Sequence, residues 1–159
     1  MHRSGIVQLP SPFKNELSGL GVVRVSGLAW SHASVVGVQA MDDQHGILMD
    51  TLNELRVQLT RGASREKVNQ QLERLVEFTG MHFDCEERLL ERHGFPELDV
   101  HRSEHRQMME DIREAAERAA KGEPDDMHAV LTVLRNCFAK HVAGLDTRYG
   151  GWLNDQGIY

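Results

Sequence analysis

Residues 82–105 read HFDCEERLLERHGFPELDVHRSEH, and the spacing of histidine and acid in this stretch decides the fold. His82 and Glu86 stand four apart near the end of one helically periodic segment; His101 and His105 stand four apart at the start of the next. Between them Gly94 and Pro96 stop the first helix. Residues at i and i+4 share a helix face, with Cβ atoms about 5–6 Å apart. Working outward, the upstream stripe is Val68, Leu72, Leu75, Thr79, His82, Glu86 and Leu89, and the downstream stripe is His101, His105, Met108, Ile112, Ala115 and Ala119. Steps of three and four mark one face of an amphipathic helix. The histidines and Glu86 therefore continue the apolar stripes and face inward.

Two further periodic stretches flank this pair. One runs from about Asp42 to Arg61, stops at Gly62, and carries His45, Leu48, Leu52, Leu55 and Leu59 on its inner face. The other follows Pro124, with Asp125 or Asp126 as the expected N-cap, and reaches about Gly150. Its stripe reads Met127, Val130, Leu134, Cys137 and His141. The central helices are expected from about Ser64 to Gly94 and from about Asp99 to Gly122, with acidic caps at the starts and glycines at the stops. Short connections make sequential helices antiparallel neighbours. The expected fold is all-α, an up-down-up-down antiparallel four-helix bundle with an extended N-terminal arm. The arm takes residues 1–28, the bundle 29–150, where residues 28–41 form an extended lead-in, and a C-terminal tail 151–159. In that topology His45, the His82–Glu86 pair, the His101–His105 pair and His141 share one end. At 1.5 Å per residue they fall in a layer about 10–15 Å deep.

The rest of the composition narrows the function. With 159 residues the chain fits one domain, and a formal charge of −6 with scattered lysine and arginine gives no nucleic-acid footprint. No apolar run is long enough for a membrane span. The opening MHRSGIVQLPSPF, interrupted by Pro10 and Pro12, is not expected to act as a secretory signal. Cys85 and Cys137 form no C-x-x-C pair, which points to a reducing, cytoplasmic compartment.

A lone histidine on an apolar stripe is ordinary core, and one i, i+4 pair is little more. The joint pattern is different, because four helices each place such residues inward at the same end. An ionised carboxylate in a bundle core costs several kcal/mol unless compensated. Five imidazoles beside it cannot all find partners among leucines, and a cation resolves both problems. The set is too large for one tetrahedral zinc and suits two ions joined by carboxylates. Mixed imidazole and carboxylate ligation favours iron or manganese over thiolate-seeking metals.

The segments MDDQH at 41–45, HFDCEE at 82–87, GFP at 94–96, H-x-x-x-H at 101–105 and H-x-x-x-x-D at 141–146 together resemble the hemerythrins, the bacterial ones above all. Trp30 and Tyr149 also fit, and the resemblance covers about residues 28–150. It implies a centre of two iron ions with a bridging oxo or hydroxo group. His101, His105 and His141 would hold one iron, His45 and His82 the other, and Glu86 and Asp146 would bridge them. It further implies reversible binding of molecular oxygen at the two-histidine iron, by an oxygen carrier or store and not an enzyme. Related domains also serve as oxygen- or redox-sensing modules with signalling partners, and a peroxide or nitric oxide reductase is the remaining reading. Two positions depart from the family pattern: Cys137 stands where tryptophan is usual and Phe138 where leucine is usual. Cys137 is read as a small core filler. His2, His32, His93 and His128 are read as solvent-facing.

The resemblance leaves one awkward spacing. Residues five apart on a regular helix are rotated by about 140°, so His141 and Asp146 cannot address one site from the same face. A local π-type turn would bring them into line. The alternative is that the two side chains reach round from opposite flanks. Gly144, which weakens the helix by about 1 kcal/mol relative to alanine, makes distortion cheaper. The bulge is the expectation.

Overall fold

The structure is a computed structural model that describes residues 35–122 and 124–159. The expected arm at 1–28, Trp30 and His32 lie outside the described residues. Among the described residues the chain forms α1 (Gln39–Thr60), α2 (Arg65–His93), α3 (Leu98–Lys121) and α4 (Pro124–His141), then a π-helical turn (Val142–Asp146) and α5 (Thr147–Asn154). Each helix packs on the next, and α1 also packs on α4, which closes a four-helix bundle.

The expected helices are present with shifted ends. Glycines stop α1 and α2 as anticipated. Gly62 and Gly94 both adopt φ 72°, and the turn after each is closed by bonds such as Ala63 N–H to the Gln58 carbonyl and Phe95 N–H to the Leu90 carbonyl. Only a residue that tolerates left-handed φ closes a helix this way at no steric cost. The starts differ from expectation. Ser64 caps α2 through a bond from Lys67 N–H, whereas the N-cap positions of α1 and α3, Val38 and Glu97, make no side-chain cap. Asp42 works instead on the lead-in, where its two carboxylate oxygens accept from the Val36 and Gly37 N–H groups at 2.8 and 3.0 Å. Helix α4 starts at Pro124 itself, so Asp125 and Asp126 lie inside its first turn. Proline's fixed φ suits that first position. The last helix runs past Gly150 to Asn154 and buries Leu153.

Three inner stripes match the sequence reading, with Leu59 only half-buried at the rim of α1. On α4 the register differs, since Leu131 and Phe138 are buried in place of Val130 and Cys137, which are half-buried. His93 and His128 are half-buried rather than fully solvent-facing. The lead-in crosses the last helix at Gly150, where a methyl group would overlap the Val36 carbonyl.

Candidate metal centre

The seven side chains singled out in the sequence lie in one buried layer, at the bundle end where α1 and α3 begin and α2 stops. His45 comes from α1, His82 and Glu86 from α2, His101 and His105 from α3, His141 from the last position of α4 and Asp146 from the end of the π turn. None is more than 5% exposed. Their donor atoms fall into two overlapping groups, within each of which all atoms lie within 4.8 Å of one another: Glu86, His101, His105, His141 and Asp146 in one, His45, His82 and Glu86 in the other. Asp146 reaches both sides, with Oδ1 3.1 Å from His141 Nε2 and Oδ2 3.3 Å from His45 Nε2.

The π turn accounts for the position of Asp146. Thr147 N–H bonds to the Val142 carbonyl five residues back, the bond that the spacing of His141 and Asp146 calls for. The turn holds one residue more than a regular helix would, so the chain beyond it is rotated back toward the site.

Outer contacts fix the imidazoles. His82 Nδ1–H donates to Gln44 Oε1 and His105 Nδ1–H donates to Glu87 Oε1, both at 2.9 Å. Each bond leaves the Nε2 lone pair aimed inward, the tautomer a ligand needs. His105 Nε2 and His141 Nε2 are then 3.0 Å apart, a contact that requires a shared proton or a cation. The Tyr149 hydroxyl donates to Glu86 Oε2 at 2.6 Å, while Glu86 Oε1 meets His101 Nε2. His82 Nε2 and both Asp146 oxygens are buried without a hydrogen bond of proper geometry. Buried polar atoms are nearly always paired. Orphaned atoms among five imidazoles and two carboxylates, with no thiolate, fit a pair of metal ions of the iron or manganese kind.

The charge states agree with that fit. Burial pushes His82 down to about 4, so its ring is neutral. Burial alone would raise Glu86, but the imidazoles of His101 and His105 outweigh it and hold the carboxyl well below the usual range. Asp146 is likewise raised by burial and by Glu86, yet the His141 and His45 rings bring it below its ordinary value. Burial, reinforced by Glu86 and Asp146, pushes Tyr149 well above 10 and keeps its phenol a donor.

Residues 36–153 match the family of the hemerythrin HHE cation binding domain. The chain belongs to the hemerythrin family. It is 31% identical over 130 residues to a bacteriohemerythrin of Ralstonia nicotianae, covering 82% of this chain and 91% of that one. A bacteriohemerythrin of Methylococcus capsulatus is 25% identical over 128 residues, or 80% and 97% of the two chains. A crystal structure of wild-type hemerythrin shares the fold, with a TM-score of 0.68 at 23% identity over 78% of this chain and 95% of that one.

In this member of the hemerythrin family an apolar wall backs the three-imidazole side. Phe83 stacks on His105, with centroids 3.8 Å apart and 11° between planes, and Phe138 lies 6.1 Å from Phe83. Leu48 is fully buried beside the layer, while Phe78 and Met49 are half-buried. Gln44, Phe83 and Glu87 were not singled out from the sequence, although each sits next to a metal-type residue inside a quoted motif. Their signal was that adjacency alone. Cys85 and Cys137 are free and half-buried.

Proposed function

We propose that this chain binds molecular oxygen reversibly at a non-haem di-iron centre, as an oxygen carrier or store. The observation that carries the reading is the uneven division of imidazoles, three on one side and two on the other of Glu86 and Asp146. In this reading His101, His105 and His141 would hold one iron, His45 and His82 would hold the other, and Glu86 and Asp146 would be shared between them. The two-histidine side offers one imidazole fewer, which is where oxygen would be taken up. When bound, the irons supply the electrons that oxygen takes up and later returns. The protein's own part is to hold and to exclude: Gln44 and Glu87 fix the His82 and His105 tautomers, the Tyr149 hydroxyl donates a hydrogen bond to Glu86 Oε2, and Phe83, Phe138 and Leu48 keep bulk water away. Among the described residues no helix is long and apolar enough to cross a membrane. Two free thiols support a cytoplasmic setting.

The test is iron analysis with optical spectra of the reduced protein before and after oxygen. About two irons per chain and an oxygen-dependent, reversible spectrum are expected, and His101→Ala should lose much of the metal, since loss of even an outer partner costs about 10–100-fold in affinity. One tightly held zinc, with no iron after anaerobic reconstitution, would overturn the reading. Slow autoxidation would support storage. Fast autoxidation would favour an oxygen- or redox-sensing module with a signalling partner, or a reductase of peroxide or nitric oxide.

A further inference from the structure

The two metal positions differ in more than ligand number. His82 and His105 both turn Nε2 inward and hold it there through Nδ1, but the acceptors differ in charge. His82 leans on the neutral amide of Gln44, which is itself buried, and His105 leans on the carboxylate of Glu87. A carboxylate draws the Nδ1 proton harder than an amide does, and it makes the ring's other nitrogen a stronger donor to metal.

Glu87 is placed for this task. Oε1 takes the imidazole, and Oε2 faces Arg102 Nε at 3.4 Å. Arg102 Nη2 also reaches Glu91 Oε1 at 3.2 Å, so the guanidinium is braced between two acids of α2. A surface ion pair between hairpin helices would be the plain explanation of Glu87 and Arg102, and such pairs contribute little. That explanation leaves out the bond to a His105 ring that is 2% exposed.

We infer that Glu87 is a positioning residue that makes the two metal positions electronically unequal, strengthening His105 as a donor while Gln44 leaves His82 an ordinary one. The inference rests on the di-iron reading and extends it. It makes the three-histidine position the one that more strongly favours ferric iron and more firmly keeps its metal.

Glu87→Gln tests this, because the amide can still accept from Nδ1 but carries no charge. Iron-loaded wild-type and variant proteins would be compared by spectroelectrochemical titration and by iron retention against a chelator. The expected result is retention of one of the two irons weakened by about 10–100-fold. The ferric preference at that position should fall by about tenfold, which is about 59 mV on a one-electron step. The other step should move much less. Glu87→Asp should restore part of the loss, and Gln44→Glu should shift the other step in the opposite direction. Equal shifts of both steps, or none, would overturn the inference and return Glu87 to a surface ion pair. Wild-type protein that loads no pair of irons would instead bring down the di-iron reading and this inference with it, so the two failures are told apart by the wild-type iron count.

Discussion

Phe83 lies nearly flat on the His105 ring, and Phe138 supports it from α4. Flat stacking leaves no room for water on that face of the imidazole. Phe138→Ala would remove a buried ring, at a cost of about 3–5 kcal/mol for a phenylalanine in a packed core. The cavity would open a path for water toward the centre. We expect iron content to persist while autoxidation, followed as decay of the oxygenated spectrum, becomes clearly faster. An unchanged rate would show that Phe138 does not seal the site. At this scale the sequence was legible only in part. The inward histidines and Glu86 could be read because each continued a stripe with a helical period, and Asp146 was reached through the family motif. Gln44, Phe83 and Glu87 could not, because neighbours in sequence point about 100° apart on a helix and are assigned to another face. Their contacts are made across helices, to His82 and His105, and no single-helix pattern records them.

The π turn is where one element departs from regularity, and its use extends beyond Asp146. Counted along a regular helix at about 100° per residue, Asp146, Tyr149 and Leu153 would sit about 140°, 80° and 120° round from His141. Removing one residue from the count brings them to about 40°, 20° and 20°, which agrees with all three being fully buried. The turn acts as a one-residue insertion that lets a single helix face serve the bundle on both sides of the site. Deleting Gly144, which is exposed and has open space beside it, should therefore be tolerated. We expect the deletion variant to keep a helical spectrum and two-metal loading, with thermal stability equal or higher. Inserting an alanine after Gly144 should instead swing Asp146 and Tyr149 off the core and abolish loading; if both variants behave alike, the turn has no such role. The sequence predicted this turn from one spacing, but it misassigned the face of α4. Stepping back from His141 by four and three gives Cys137, Leu134 and Val130, and stepping by three and four gives Phe138, Leu134 and Leu131. Periodicity permits both. The structure buries the larger side chains, which remove more apolar surface from water.

Across the whole molecule, the centre gathers side chains from positions 45 to 146 and ties all four helices at one end. Metal binding to such a site contributes to folding stability. Stripping it should lower the melting temperature, with exchange protection falling most in the first turns of α1 and α3. The stripped chain should also be acid-sensitive. An unfolded chain takes up a proton at His82 near 6.5, whereas the folded chain does so only near 4, so this contribution is complete above about 6.5 and is lost as pH falls toward 4. Glu86, held low in the fold, adds a further loss below its ordinary range of about 4.5. Melting curves of metal-free protein from pH 7.5 to 4 would check this, and a flat profile would contradict it. A last consequence follows from the close approach of Val36 to Gly150, beside which Gly37 packs on Asn154. The lead-in and the final helix meet at the metal end, so the described chain forms a ring with a latch, and Asp42 fastens it through Val36 and Gly37. A ring can be cut elsewhere. Joining residue 154 to residue 35 through a short linker and opening the chain at Gly62, at the far end of the bundle, should give a circular permutant that loads the same metals. Cutting at the latch, by Gly150→Val, should loosen the centre from outside without touching a ligand.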